Sequence, residues 1–274
     1  MSQLIDNLNT IESIKTDIKA ALENKGVDMT GVSFPGYASK IGEISGGGGF
    51  DQKSITEKSY DIINLDNSAS FVSTEAFKSN KTIQTVNLPY ATSVGFSAFY
   101  GCYSLAQVNL PMCSYIGNNA FFYCTSLTQV SLPVCTTISN NAFQYCSKLT
   151  QVDLPMCSSI GNYAFQECYS LAQVSLPVCG SIGTNAFAFC NKLTQVDLPM
   201  CSSIGNNAFD YCTLLSIITI RYSSLCSLGG SNVFSKTQIT SSTGSIYVPT
   251  SLVDSYKSAK NWSYFSTQIF PIPE

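Results

Sequence analysis

Ile116-Gly117-Asn118-Asn119-Ala120-Phe121-Phe122-Tyr123-Cys124-Thr125-Ser126-Leu127-Thr128-Gln129-Val130-Ser131-Leu132-Pro133 is the stretch that decides the fold of this chain. Val130-x-Leu132 alternates apolar with polar residues as a short strand does, and Pro133 ends it because proline has no N–H for a sheet ladder. The phrase returns at Ile160 to Pro177, where the chain turns on Gly161 and re-enters the core through Ala164, Phe165 and Cys168. Working outward, Leu-Pro recurs at Leu88, Leu110, Leu132, Leu154, Leu176 and Leu198, always 22 residues apart. Phe77, Phe99, Phe121, Phe143, Phe165, Phe187 and Phe209 keep the same period, as do Val94, Ile116, Ile138, Ile160, Ile182 and Ile204. A fixed period of this length, with apolar residues at fixed phases, is the mark of a leucine-rich-repeat solenoid, whose coils bury their apolar faces only by stacking.

The expected fold is therefore an α/β-class, right-handed solenoid of 22-residue coils with short parallel strands, about seven coils over residues 60–220. Strands about 4.8 Å apart make the steps from Phe77 to Phe209 span roughly 29 Å. The ends differ from the repeats. Leu4, Leu8, Ile11, Ile14, Ile18 and Leu22 have helical spacing, which predicts a helical docking or assembly segment over 1–45. Gly46 to Gly49 predict a flexible joint over 46–50, since consecutive glycines hold neither helix nor strand cheaply. The solenoid takes 51–220, and 221–274, with Trp262, is the expected C-terminal cap.

Composition narrows the function. The 274 residues hold 14 Lys and Arg against 17 Asp and Glu, so no basic field attracts nucleic acid or anionic lipid. Histidine is absent, which removes Ser-His-Asp and Cys-His arrangements and histidine metal sites. No apolar run is long enough to span a membrane. The spaced apolar residues of the first ten positions do not read as a secretory signal, which predicts an intracellular chain with reduced thiols.

Eleven of the twelve cysteines, Cys102 to Cys212, fall every 11 residues and form two ladders, read as buried thiols rather than disulfides or metal ligands. Cys226 is out of register and is expected to be accessible. Asp153 and Asp197, two coils apart, stand about 10 Å from each other. That is near the separation in inverting glycosidases, about 6.5–9.5 Å, but both are expected in water with nothing to raise a pKa. No catalytic residue, cofactor or metal is assigned. Two candidate binding surfaces remain: a sheet face with Gln129, Gln151, Asp153, Gln173 and Asp197, and an aromatic row with Tyr100, Tyr123, Tyr145, Phe189 and Tyr211, interrupted by Gly101 and Glu167. Met112, Met156 and Met200 alternate with Val134 and Val178 after the prolines, which reads as duplication of two-coil blocks.

The repeated phrase I-G-x-x-A-F-x-x-C-x-x-L-x-x-V-x-L-P resembles the BspA-like (bacterial surface antigen) leucine-rich repeat over residues 71–220, with a similar tail from Ile246-Tyr247-Val248-Pro249 to Trp262. The resemblance implies binding or adhesion without catalysis. The segment from Ile14 to Val27, with Phe34-x-x-Tyr37-Ala38-x-Lys40-Ile41, resembles the start of phage or prophage tail and fibre proteins. Together these resemblances imply a non-enzymatic virion component that binds a host-surface protein or glycan. Residues 1–45 would join it to other virion proteins or to itself, as a homotrimer, without membrane insertion. The alternative is a bacterial adhesin or protein-interaction module at the cell surface, unrelated to phage.

Overall fold

The computed structural model describes residues 62–64, 71–241 and 243–273; the assembly helix and glycine joint expected over 1–50 lie outside them. In chain order the strands are β1 (Ile62–Asn64), β2 (Phe71–Val72), β3 (Thr85–Asn87), β4 (Ser93–Val94), β5 (Gln107–Asn109) and β6 (Tyr115–Ile116). Then come β7 (Gln129–Ser131), β8 (Thr137–Ile138), β9 (Gln151–Asp153), β10 (Ser159–Ile160), β11 (Gln173–Ser175) and β12 (Ser181–Ile182). The last are β13 (Gln195–Leu198), β14 (Ser203–Ile204), β15 (Ile217–Ile220), β16 (Ser227–Leu228), β17 (Ser245–Val248) and β18 (Ile269–Pro271). Each coil gives one longer and one shorter strand, and like strands pair in parallel with the next coil. The shorter ones, β2 to β16, make one continuous sheet. The longer ones divide into a six-stranded sheet, β1 to β11, and a four-stranded sheet, β13 to β18.

Register follows the repeat: Gln107 pairs with Gln129, Val108 with Val130, and Gln151 with Gln173. In the longer strands the central valine is buried between two exposed residues, because successive side chains point to opposite faces. Phenylalanine rings from Phe77 to Phe209 stack face to face at 5.1–5.5 Å between centroids through the middle of the solenoid. The spacing suits offset aromatic pairs.

The return leg needs no helix. Two residues per coil are left-handed, for example Asn119 (φ 56°) and Tyr123 (φ 60°). Asn119, Phe121 and Tyr123 then give their N–H groups to the carbonyls of Asn140, Ala142 and Gln144 in the next coil. Gly161 is not the turning residue expected of it. A Cβ there would sit 2.6 Å from the backbone of Ser139, so the glycine permits close approach of adjacent coils.

Beyond the coils expected over residues 60–220, β17 and β18 extend the parallel stack to about nine turns. A short helix, α1 (Val253–Ser258), with buried Tyr256, Trp262 and Phe265, then closes the end. Cys226 corrects a second expectation. It is fully buried and continues the ladder Cys113, Cys135, Cys157, Cys179, Cys201. Its N–H donates to the Tyr256 hydroxyl at 2.9 Å, and its carbonyl accepts from Trp262 Nε1 at 2.6 Å. The cap supplies the cover that sequence register did not reveal.

Candidate functional site

All twelve cysteines are free and buried. In one ladder each Sγ donates to the phenylalanine carbonyl of the coil before, as from Cys146 to Phe121 at 3.2 Å. In the other it donates two residues on, as from Cys157 to Ser159 at 3.3 Å. Burial pushes the Cys102, Cys135 and Cys179 thiols up to about 12, and Cys113 to about 11, so they stay protonated and inert at neutral pH. Among the described residues no group of three or more acidic or cysteine side chains is placed to hold a metal ion. No helix there is long and apolar enough to cross a membrane.

The aromatic row forms two islands, one on each side of its interruption at Glu167. Tyr100 stacks on Phe122 at 4.9 Å, Phe122 meets Tyr123 edge-on, and Tyr123 stacks on Tyr145 at 4.3 Å. Phe189 and Tyr211 form the second island at 4.7 Å. Glu167 separates them and accepts a hydrogen bond from the Tyr169 hydroxyl. That bond raises the Tyr169 phenol to about 12, while burial and the Glu167 charge raise Tyr145. Tyr100 on Phe122, Tyr123 on Tyr145 and Phe189 on Tyr211 are stacked pairs, so each of these rings has one face covered by its neighbour. Tyr123, Tyr145, Phe189 and Tyr211 are also left-handed, where Gly101 stands in an earlier coil. That conformation costs a residue with a Cβ about 1–2 kcal/mol, which the ring stacks offset in part.

The longer-strand face carries the other predicted residues. Gln129, Gln151, Asp153, Gln173 and Asp197 are all exposed and stand in ladder register within each sheet. Between β11 and β13 the ladder stops. Val174 is half-exposed there, whereas the central valines of β9 and β13 are buried. A cleft of about 560 Å³ opens at this point, lined by Gln151, Gln173, Gln195, Asp197, Ile217 and Arg221 among others. Arg221 Nε donates to both Asp197 carboxylate oxygens at 3.2 Å.

Sequence reasoning missed two features. Arg221 is the only arginine of the chain and takes the phase of Pro199 in the first broken repeat, which was the available signal. The second is a row of exposed side chains along one edge: Tyr90, Met112, Val134, Met156, Val178 and Met200. The flanking hydroxyls of Ser114, Thr136 and Ser158 each donate to a carbonyl one coil back, so this edge is short of free donors and bears no ionised side chain. The Met/Val alternation read as duplication is thus also a surface pattern.

A solenoid of 22-residue coils with stacked phenylalanine and cysteine ladders defines a leucine-rich-repeat protein. The BspA type Leucine rich repeat region matches residues 50–156 and 136–259, and the chain belongs to that family. A leucine rich cell surface protein from Faecalibacterium prausnitzii is similar, with 30% identity and a TM-score of 0.54 over 61% of this chain and 49% of that one. A T. pallidum leucine-rich-repeat protein shows 29% identity and a TM-score of 0.52 over 58% and 79%. The chain thus spans about half the length of the Faecalibacterium protein. No curated protein sequence matches it.

Proposed function

We propose that this chain is a non-catalytic recognition module of the bacterial cell surface, binding a host-surface protein or glycan through its longer-strand face. The observation that carries the reading is the cleft between β11 and β13, where glutamine amides border the break that face shows among the described residues. Family membership supports adhesion or protein interaction, and one similar structure is a cell surface protein. The test is binding of the full chain to host cells and a glycan array, with Gln151, Gln173 and Gln195 together changed to Ala. A loss of about tenfold or more, with circular dichroism unchanged, is expected. If Tyr145→Ala and Tyr211→Ala abolish binding while the glutamine variant keeps it, the aromatic islands are the binding surface instead.

A second reading, a phage or prophage tail or fibre component, is favoured by the pattern of residues 14–41. It requires self-association through Leu4, Leu8, Ile11, Ile14, Ile18 and Leu22, as a trimer by analogy with fibres. Sedimentation of the full chain against one starting at Phe50 tests it: an oligomer only in the full chain supports it, and monomers in both remove it.

A further inference from the structure

Arg221 is placed as a ligand group rather than as part of the scaffold. It follows β15 directly, at the phase where Pro199 ends the previous strand, so it projects from the rim of the cleft without interrupting a ladder. Its side chain is half-exposed. Only Nε is engaged, by Asp197; the two terminal nitrogens have no partner among the described residues. A guanidinium fixed by one edge and open along the other offers two parallel N–H groups to a planar acceptor, the geometry a carboxylate fills. No lysine lines the cleft, and Asp197 offsets the arginine charge, which disfavours a multiply charged phosphate and suits a single carboxylate.

The rest of the wall is uncharged and polar. Gln151, Gln173 and Gln195 come from successive coils; the first two are paired in register, about 4.8 Å apart, and Gln195 stands across the break. Each amide both donates and accepts, as a sugar hydroxyl does. The apolar surface is limited to Ile217, the half-exposed Val174 and small neighbours, so no enclosed pocket waits for a large peptide side chain.

We propose that this cleft binds a carboxylate-bearing oligosaccharide, with the terminal nitrogens of Arg221 holding the acid and the glutamine amides holding hydroxyls. This rests on the reading of the longer-strand face as the recognition surface and specifies its ligand. Asp197 holds the guanidinium through Nε, an oxygen contact that asparagine can keep, and its negative charge opposes the ligand acid.

The test is calorimetric titration of the full chain with trigalacturonate and with a sialylated trisaccharide, each as free acid and as methyl ester. At least one acid is expected to bind, and its ester about tenfold or more weakly. Arg221→Gln should lose that same factor toward the acid and leave the ester unchanged. Asp197→Asn should bind the acid more tightly, which a merely structural ion pair would not produce. Equal binding of acid and ester, or wild-type affinity in Arg221→Gln, overturns the carboxylate assignment while the face reading stands. If only a peptide with a free C-terminal carboxylate binds, through Arg221, the saccharide class is wrong. If no saccharide binds and the triple glutamine variant still binds host cells normally, the proposal and the face reading both fail.

Discussion

The regular coils between Leu88 and Ile204 and the irregular end from Arg221 to Pro273 reach one architecture by different means. In the regular part the 22-residue period places every ladder residue, and rings, thiols and valines stack on copies of themselves. Beyond it the spacing stretches to 24 residues from Ile204 to Leu228 and to 28 from Ile218 to Ile246, yet both pairs stay in register. Phe234 still stacks on Phe209 at 5.9 Å, and Cys226 still fills the cysteine slot. The difference teaches that the apolar ladders fix the coil, while the polar loops between them can lengthen. It also teaches that an end must change composition: Phe234 meets Trp262 tilted and Phe265 edge-on, because no further identical ring arrives.

The largest expected effect separates the two regions directly. Phe143→Ala should cost toward the upper end of about 3–5 kcal/mol, since the void lies between two fixed rings. Phe234→Ala should fall near the lower end, because tilted neighbours can close on the gap. Urea unfolding measures both, and equal losses would remove the distinction between a stacked middle and an adaptable end.

The thiols sharpen the comparison next. Since the cap buries Cys226 as well as the repeats bury the others, a thiol reagent should label none of the twelve in the native chain at neutral pH and nearly all after denaturation without reductant. Rapid labelling of Cys226 alone would show that the end opens independently. Raised thiol pKa values also give a sign. The folded chain keeps protons that the unfolded chain releases above pH 9, so this contribution is complete below about pH 9. It is lost as pH rises through about 11 to 12 for Cys113 and Cys102. A melting temperature unchanged between pH 8.5 and 11.5 would contradict the burial.

A smaller effect lies at Tyr163. It is left-handed at φ 59°, at the phase where Asn119, Asn141, Asn185 and Asn207 stand. Asparagine tolerates that conformation better, so Tyr163→Asn should stabilise the chain by about 1 kcal/mol. A destabilisation of that size would mean the ring packs between coils. Least of all, Met156→Lys on the uncharged edge should change stability by less than about 0.5 kcal/mol, since Met156 is 53% exposed.

For the regular repeats the sequence by itself determined the coil: its length, strand positions, parallel register and ladder residues. A period repeated over many coils leaves one stacking that buries the apolar phases together. It also placed the glutamine and aspartate ladders on an exposed strand face, because alternation allows no other side. Tertiary structure alone decided three things. Cys226 is buried by Tyr256 and Trp262, contacts 30 and 36 residues away that no period announces. The aromatic row, whose interruption at Glu167 the sequence already shows, packs as one island in which Phe122 meets Tyr123 and Tyr145 edge-on and as a separate Phe189–Tyr211 pair. The cleft lies where the ladder parts between β11 and β13, although their sequences, QVS and QVDL, keep the repeat. A break in hydrogen bonding between neighbouring strands depends on how the whole stack of coils settles, and Arg221 becomes a candidate ligand group only once that break opens beside it.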